Sequence, residues 1–93
     1  MGDETQIKII GVTNALKDFL CEKNKRYGDS ALDPIHIFSK LPPGEQLCVR
    51  LDDKLSRIKN SGELRKNDVV DTLGYMILLC IYNDWLDFED QID

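Results

Sequence analysis

From Asn67 to Leu86 the chain runs without proline and with a single glycine, Gly74, and apolar side chains fall almost all round the helix those residues would make. A helix apolar on every side has to be covered by other elements. This segment is therefore expected to be the buried centre of an all-α fold. It nevertheless carries two carboxylates, Asp68 and Asp71, on a face shared with Thr72 and Tyr75, among Val69, Val70, Leu73, Met76, Ile77 and Cys80. An unpaired charge taken out of water costs several kcal/mol, so something positive must face Asp71. The candidates are Lys54 or Arg57 from a neighbouring helix, or a divalent cation, for which two carboxylates with water and a substrate phosphate form the ordinary magnesium arrangement. Asp68 alone has a simpler account, as an acid in the first turn of a helix.

Two further helices supply the cover. Val12, Ala15, Leu16, Phe19 and Leu20 recur at helical spacing, with Thr13 or Asn14 as the cap, which predicts a helix to about Lys25. Tyr27-Gly28-Asp29 ends it, because Gly28 can take a positive φ. Asp33-Pro34 looks like a cap followed by a first-turn proline and predicts a short helix over Ile35 to Ser39, closed by Leu41-Pro42-Pro43-Gly44. The next long helix is expected from about Glu45 to Asn60, with an apolar stripe of Leu47, Leu51, Leu55 and Ile58, and Asn60-Ser61-Gly62 as the turn that follows. No strand pattern, repeat or low-complexity stretch is present. The expected architecture is three principal helices in an antiparallel bundle.

A chain of 93 residues makes one domain and buries only about 60% of the surface its unfolded form exposes, so self-association is the ready way to complete its core. A homo-oligomer is the expectation. Charge narrows the partners. Residues 1–66 hold all 12 basic side chains and ten of the 17 acids, whereas residues 67–93 hold seven acids and no base, for a net charge of -5. Binding to duplex DNA draws on Lys and Arg displacing counterions, and no basic stripe is present, so duplex DNA is not expected as a partner. A small phosphorylated ligand needs only a few convergent cations and remains open.

Cys21, Cys48 and Cys80 are odd in number, widely spaced and set in apolar-periodic stretches, which reads as reduced core residues. His36 is the one histidine and has no evident acid partner, so neither a zinc site of ordinary spacing nor nucleophilic catalysis is supported. No phosphate-cradling glycine motif occurs. The first residues, Met1 to Gln6, are acidic where a signal peptide is basic, and the apolar run Tyr75 to Tyr82 is far short of the about 20 residues that span a bilayer. No membrane association and a cytoplasmic location are expected.

Three groups of residues could carry chemistry. On the second long helix Arg50, Asp53, Lys54 and Arg57 flank the apolar stripe, either converging on a ligand or forming an i,i+4 ion-pair ladder worth a few tenths of a kcal/mol. On the third, Asp68, Asp71 and Tyr75 face the same way. At the end of the first, Lys23-Asn24-Lys25-Arg26-Tyr27-Gly28-Asp29 sets cations beside an aromatic ring and a glycine. Cations suit a helix C-terminus for structural reasons alone, yet Lys23 and Arg26 could meet phosphate, Tyr27 could stack, Asn24 could read a base or sugar edge and Gly28 would let backbone approach.

Lys23-Asn24-x-x-Tyr27-Gly28-Asp29-Ser30, Arg50-Leu51-x-Asp53-Lys54-Leu55-x-Arg57 and Asp68-x-x-Asp71-x-x-Gly74-Tyr75, spread over about residues 13–82, together resemble the nucleotide modification associated domain family of phages and bacteria. That family is similar in turn to the MazG-like all-α nucleotide pyrophosphohydrolases, oligomeric helical bundles that bind Mg²⁺ through ExxE and ExxD motifs. The resemblance implies metal ligation by Asp68 and Asp71, with Asp53 as a third carboxylate. It is incomplete, because Asp18 and Glu22 do not reproduce ExxE and Lys and Arg stand where further acids are wanted. A bundle that has exchanged metal ligands for cations would hold a nucleotide rather than cleave it, and in a phage it could sequester a nucleotide signal of host defence.

The leading expectation is thus a nucleotide-binding oligomer using Lys23, Asn24, Arg26, Tyr27, Gly28, Arg50, Lys54, Arg57 and Tyr75. The alternative is a Mg²⁺-dependent nucleoside triphosphate pyrophosphohydrolase using Asp53, Asp68 and Asp71. A third reading is an interaction or inhibitor subunit whose acidic, aromatic residues 84–93 dock a basic partner, against the plainer role of sealing a subunit interface with Trp85 and Phe88.

Overall fold

A computed structural model describes residues 2–92. Its three long helices are α1 (Gly2–Tyr27), α2 (Pro43–Ser61) and α3 (Lys66–Tyr82), followed by a single 3₁₀ turn over Glu89–Gln91. No strand occurs among the described residues, and the chain is all-α.

α2 and α3 form an antiparallel hairpin. The start of α2 meets the end of α3, where Tyr82 closes on Gly44, and further along Arg50 faces Tyr75 and Lys54 faces Asp71. A Cβ at Gly44 would stand 2.6 Å from the Tyr82 ring, so the close entry of α2 depends on a residue without a side chain. α2 begins at Pro43, earlier than Glu45, because a proline in the first helical position gives up an amide that has no intrahelical partner in any case. It ends on Gly62 in the left-handed conformation, φ 73°.

The inward stripe of α2 is shifted from the expected one. Leu47 is fully buried and Leu51 and Ile58 are half-buried, but Leu55 is exposed and Lys54 takes the inward position beside it. Two carboxylates on α3 need a cation more than the interface needs one more leucine, and the long methylene stem of lysine fills the same space.

α1 differs most from expectation. It starts at Gly2, and Thr13 lies in mid-helix with its hydroxyl donating to the Ile9 carbonyl at 2.8 Å and the Ile10 carbonyl at 3.1 Å, so it does not cap. Asp3 and Glu4 in the first turn and Lys25 and Arg26 in the last suit the helix dipole. Only Leu16 and Leu20 along its length are half-buried; α1 crosses α3 where Leu20 approaches to 3.0 Å of the Cβ position of Gly74, and it does not pack against α2. The remaining side chains of α1, Ile7, Ile9, Ile10 and Val12 among them, are exposed.

The short helix expected over Ile35 to Ser39 is absent. His36 has φ 59°, outside the right-handed helical region, and its ring Nδ1 lies 3.0 Å from the Ser39 carbonyl oxygen and donates to it, while the Lys40 ammonium donates to the His36 carbonyl. α3 ends at Tyr82, not at Leu86. Asp84 takes the left-handed conformation, φ 59°, with its N–H donating to Ile81 and the Trp85 N–H donating to Cys80, the two bonds of a Schellman ending.

Two further expectations are corrected. Cys21 and Cys48 are exposed and Cys80 is half-buried, so none belongs to a core, and all three are free thiols. α3 is not enclosed within one chain, since Leu73, Met76, Ile77 and Ile81 face water on the side away from α2. Leu47 is the one buried large hydrophobic residue among those described. No helix among the described residues is long and apolar enough to cross a membrane.

Candidate functional site

Lys54, Asp68 and Asp71 form the most enclosed polar cluster. The Lys54 Nζ lies 2.9 Å from Asp71 Oδ2 and 3.9 Å from Asp68 Oδ1, and the three side chains are 13%, 27% and 8% exposed in the order Lys54, Asp71, Asp68. One turn of α3 brings both carboxylates to the same ammonium. The cation that Asp71 requires is therefore Lys54, and Arg57 does not take that place. Thr72 donates its hydroxyl to the Asp68 carbonyl at 2.7 Å, and no buried side-chain polar atom among the described residues lacks a hydrogen-bond partner. On the same side of the hairpin the Arg50 guanidinium lies over the Tyr75 ring, 5.8 Å from its centre.

Beside this cluster, where α2 ends and α3 begins, is an open groove of about 430 Å³ lined by Arg57, Asn60, Ser61, Arg65, Asn67 and Asp68. Arg57 pairs with Asp53 at 3.2 Å and Arg65 with Glu63 at 3.1 Å, both on the exposed surface. Arg65 occupies the cap position of α3 and no side chain caps that helix, so its first backbone amides are open to an acceptor. Two guanidiniums, two carboxamides, a hydroxyl and the positive end of a helix thus surround one space, with the buried Asp68 at its edge. A smaller groove of about 200 Å³ lies between Ser39, Leu41, Gln46, Val49 and Arg50.

The sequence pointed to Arg57 but not to Arg65, Asn60, Ser61 or Asn67. These had the appearance of a turn and its flanks. The available signal was a polar helix end followed at once by a helix that starts without a capping residue.

The residues at the end of α1 lie apart from this groove. Lys23, Asn24, Arg26, Tyr27 and Gly28 are all exposed, on a helix that does not pack against α2. Asn24 donates to Asp29 Oδ1 at 2.6 Å, Gly28 has φ 70° and donates its N–H to the Asn24 carbonyl, and the Asp29 carbonyl accepts from Leu32 and Asp33. The Asn24–Asp29 pair thus locks a turn. Arg26 pairs with Glu22 at 2.9 Å, and the Lys23 ammonium sits 5.3 Å from the centre of the Phe19 ring.

The three carboxylates assigned to magnesium do not converge. Asp68 and Asp71 meet on an ammonium, and Asp53 turns outward to Arg57. No group of three or more His, Cys, Asp or Glu side chains placed to hold a metal ion occurs among the described residues. The arrangement does not fit a magnesium ion between Asp68 and Asp71, since Lys54 fills that position.

No protein-family model matches this chain, and no curated protein or solved structure matches it either.

Proposed function

We propose that this chain binds a small phosphorylated nucleotide in the groove between the end of α2 and the start of α3, and holds it without cleaving it. The observation that carries the reading is that Arg57 and Arg65 line one groove with the uncapped first turn of α3. Guanidinium forks match phosphate oxygens two at a time, and the open amides of a helix start add donors and a favourable dipole. Asn60, Asn67 and Ser61 offer the mixed donors and acceptors that a sugar or base edge needs. A space of about 430 Å³ is of the size that small-molecule sites occupy. Holding is favoured over hydrolysis because Asp68, which lines the groove, and Asp71 beside it already share the Lys54 ammonium as their cation. The motif resemblance implies the same class of ligand, with sequestration of a host-defence nucleotide signal as the corresponding role.

Self-association belongs to this proposal. A chain with one buried leucine and apolar side chains exposed along α1 and α3 gains its missing burial most directly from copies of itself.

The test is to incubate the purified protein with nucleoside mono-, di- and triphosphates and cyclic oligonucleotides, with and without Mg²⁺, and to identify retained and released species by mass spectrometry. An unaltered nucleotide that is retained by the native chain, and lost from Arg57→Ala and Arg65→Ala, supports the reading. Products that appear only with Mg²⁺ would replace it with the pyrophosphohydrolase. Retention of nothing would remove both.

A further inference from the structure

We propose that the segment after α3 docks through Trp85, Leu86 and Phe88 onto the basic end of α1 of a second copy. The inference rests on the self-association proposed above and is independent of the nucleotide groove. Three large apolar side chains in this segment are 60%, 74% and 61% exposed, in the order Trp85, Leu86, Phe88. Their backbone is nonetheless fixed. The Schellman ending ties Asp84 and Trp85 to α3, the Gln91 N–H donates to the Phe88 carbonyl at 3.0 Å, and the Glu89 N–H donates to Asp87 Oδ1 at 3.3 Å. Apolar side chains held on an ordered backbone lose little further entropy on docking, which favours an interface.

Charge selects the occupant. Residues 83–93 carry five of the 17 acids and none of the 12 bases, so the rest of the chain is balanced at twelve of each. The complementary surface is the end of α1, where Lys23 and Lys25 form no ion pair among the described residues and Arg26 stands beside them. This surface also offers exposed rings, Phe19 and Tyr27, against which Trp85 and Phe88 can pack. The exposed side of α3, with Leu73, Met76 and Ile81, is apolar with one cation, Lys66, at its start, and would leave most of the acids unmatched. Within one chain the backbone of the segment bonds back to the end of α3 and, among the described residues, not to α1, which meets α3 at Gly74. Two copies that exchange these segments about a two-fold axis satisfy both at once.

The experiment measures self-association of the full chain by sedimentation equilibrium and light scattering, at low and high salt. Chains carrying Trp85→Ala with Phe88→Ala, Lys23→Glu with Lys25→Glu, or Asp87→Lys with Glu89→Lys should each self-associate at least about tenfold more weakly than the parent chain. Helix content by circular dichroism should be unchanged, since every substituted side chain is exposed. Mixing the two charge-reversed chains should restore association as a heteromer, because each then presents the sign the other lacks. A monomeric parent chain at all concentrations overturns the proposal. So does failure of the mixture to associate, or parent-like association in all three variants. Nucleotide retention through Arg57 and Arg65 is measured on the same proteins and reports separately on the groove.

Discussion

Lys54 of α2 holds Asp71 of α3 at 2.9 Å with Asp68 of the same helix 3.9 Å away, so one ammonium serves two carboxylates at the most enclosed polar point of the hairpin. The sign of the cluster is negative by one charge, and the cation is the element that makes it tolerable. Replacing Lys54 with Met keeps the apolar stem and removes the charge, leaving Asp68 and Asp71 facing each other with little water. The expected cost is about 3 kcal/mol, read as a lower urea midpoint at fixed protein concentration. Adding Asp68→Asn and Asp71→Asn to Lys54→Met should recover most of that loss. An unchanged midpoint in Lys54→Met would mean that the three groups are not coupled.

A second relationship is steric. The Tyr82 ring at the end of α3 occupies the place where a side chain at Gly44 would begin, at 2.6 Å from a built Cβ. Gly44→Ala gains helix propensity in the first turn of α2 but forces the ring aside, and the net expectation is destabilisation of about 1 kcal/mol. Tyr82 is half-exposed and its removal opens the space. In a double-mutant cycle with Tyr82→Ala, the Gly44→Ala penalty should therefore vanish or reverse. Additive effects would place the ring elsewhere.

The helices were legible in the sequence wherever their ends carry chemistry. Gly28 and Gly62 are stops with a fixed backbone preference, and the ends at Tyr27 and Ser61 fall within two residues of expectation, whereas Pro43, read as part of a break, is where α2 starts. The need for a cation opposite Asp71 followed from the cost of burying a charge, and Lys54 was one of two residues named for it. What could not be read were features decided by absent competition. α1 runs back to Gly2 because nothing in Asp3 to Val12 forbids a helix, although those residues bury nothing within the chain. His36 and Asp84 take positive φ without being glycine, so the Asp33-Pro34 signal failed and α3 stopped before Trp85. The groove was hidden for a related reason. It is made by two helix ends meeting at a turn, and Arg65 is separated from Arg57 by that turn and not by a helical repeat.

The stop of α3 gives a third prediction. Asp84 sits at φ 59° in a position where glycine is the usual residue, and aspartate is among the few others that tolerate it. Asp84→Gly should raise stability by a few tenths to about 1 kcal/mol, and Asp84→Val should lower it by at least about 1 kcal/mol, because a β-branched side chain clashes in that conformation. Thermal unfolding of the two variants checks both directions. A stable Asp84→Val chain would indicate that α3 continues past Tyr82 into Trp85 and Leu86.

Asp53 separates stability from ligand binding. Its carboxylate pairs with Arg57 at 3.2 Å, both side chains are about 60% exposed, and such a pair contributes only a few tenths of a kcal/mol to folding. The same pair engages a guanidinium that lines the groove. Asp53→Ala should leave the unfolding midpoint almost unchanged while raising affinity for a phosphorylated ligand severalfold, since Arg57 is released and a repelling charge is removed. Arg57→Ala should weaken that affinity by about tenfold or more at equally small cost in stability. Titration of both variants with the nucleotide recovered from the parent chain, at low and moderate salt, decides the matter. If Asp53→Ala instead lost affinity even with chelator present, where no metal ion can bridge carboxylate and phosphate, the carboxylate itself would be contacting the ligand and the phosphate-facing role of Arg57 would have to be given up.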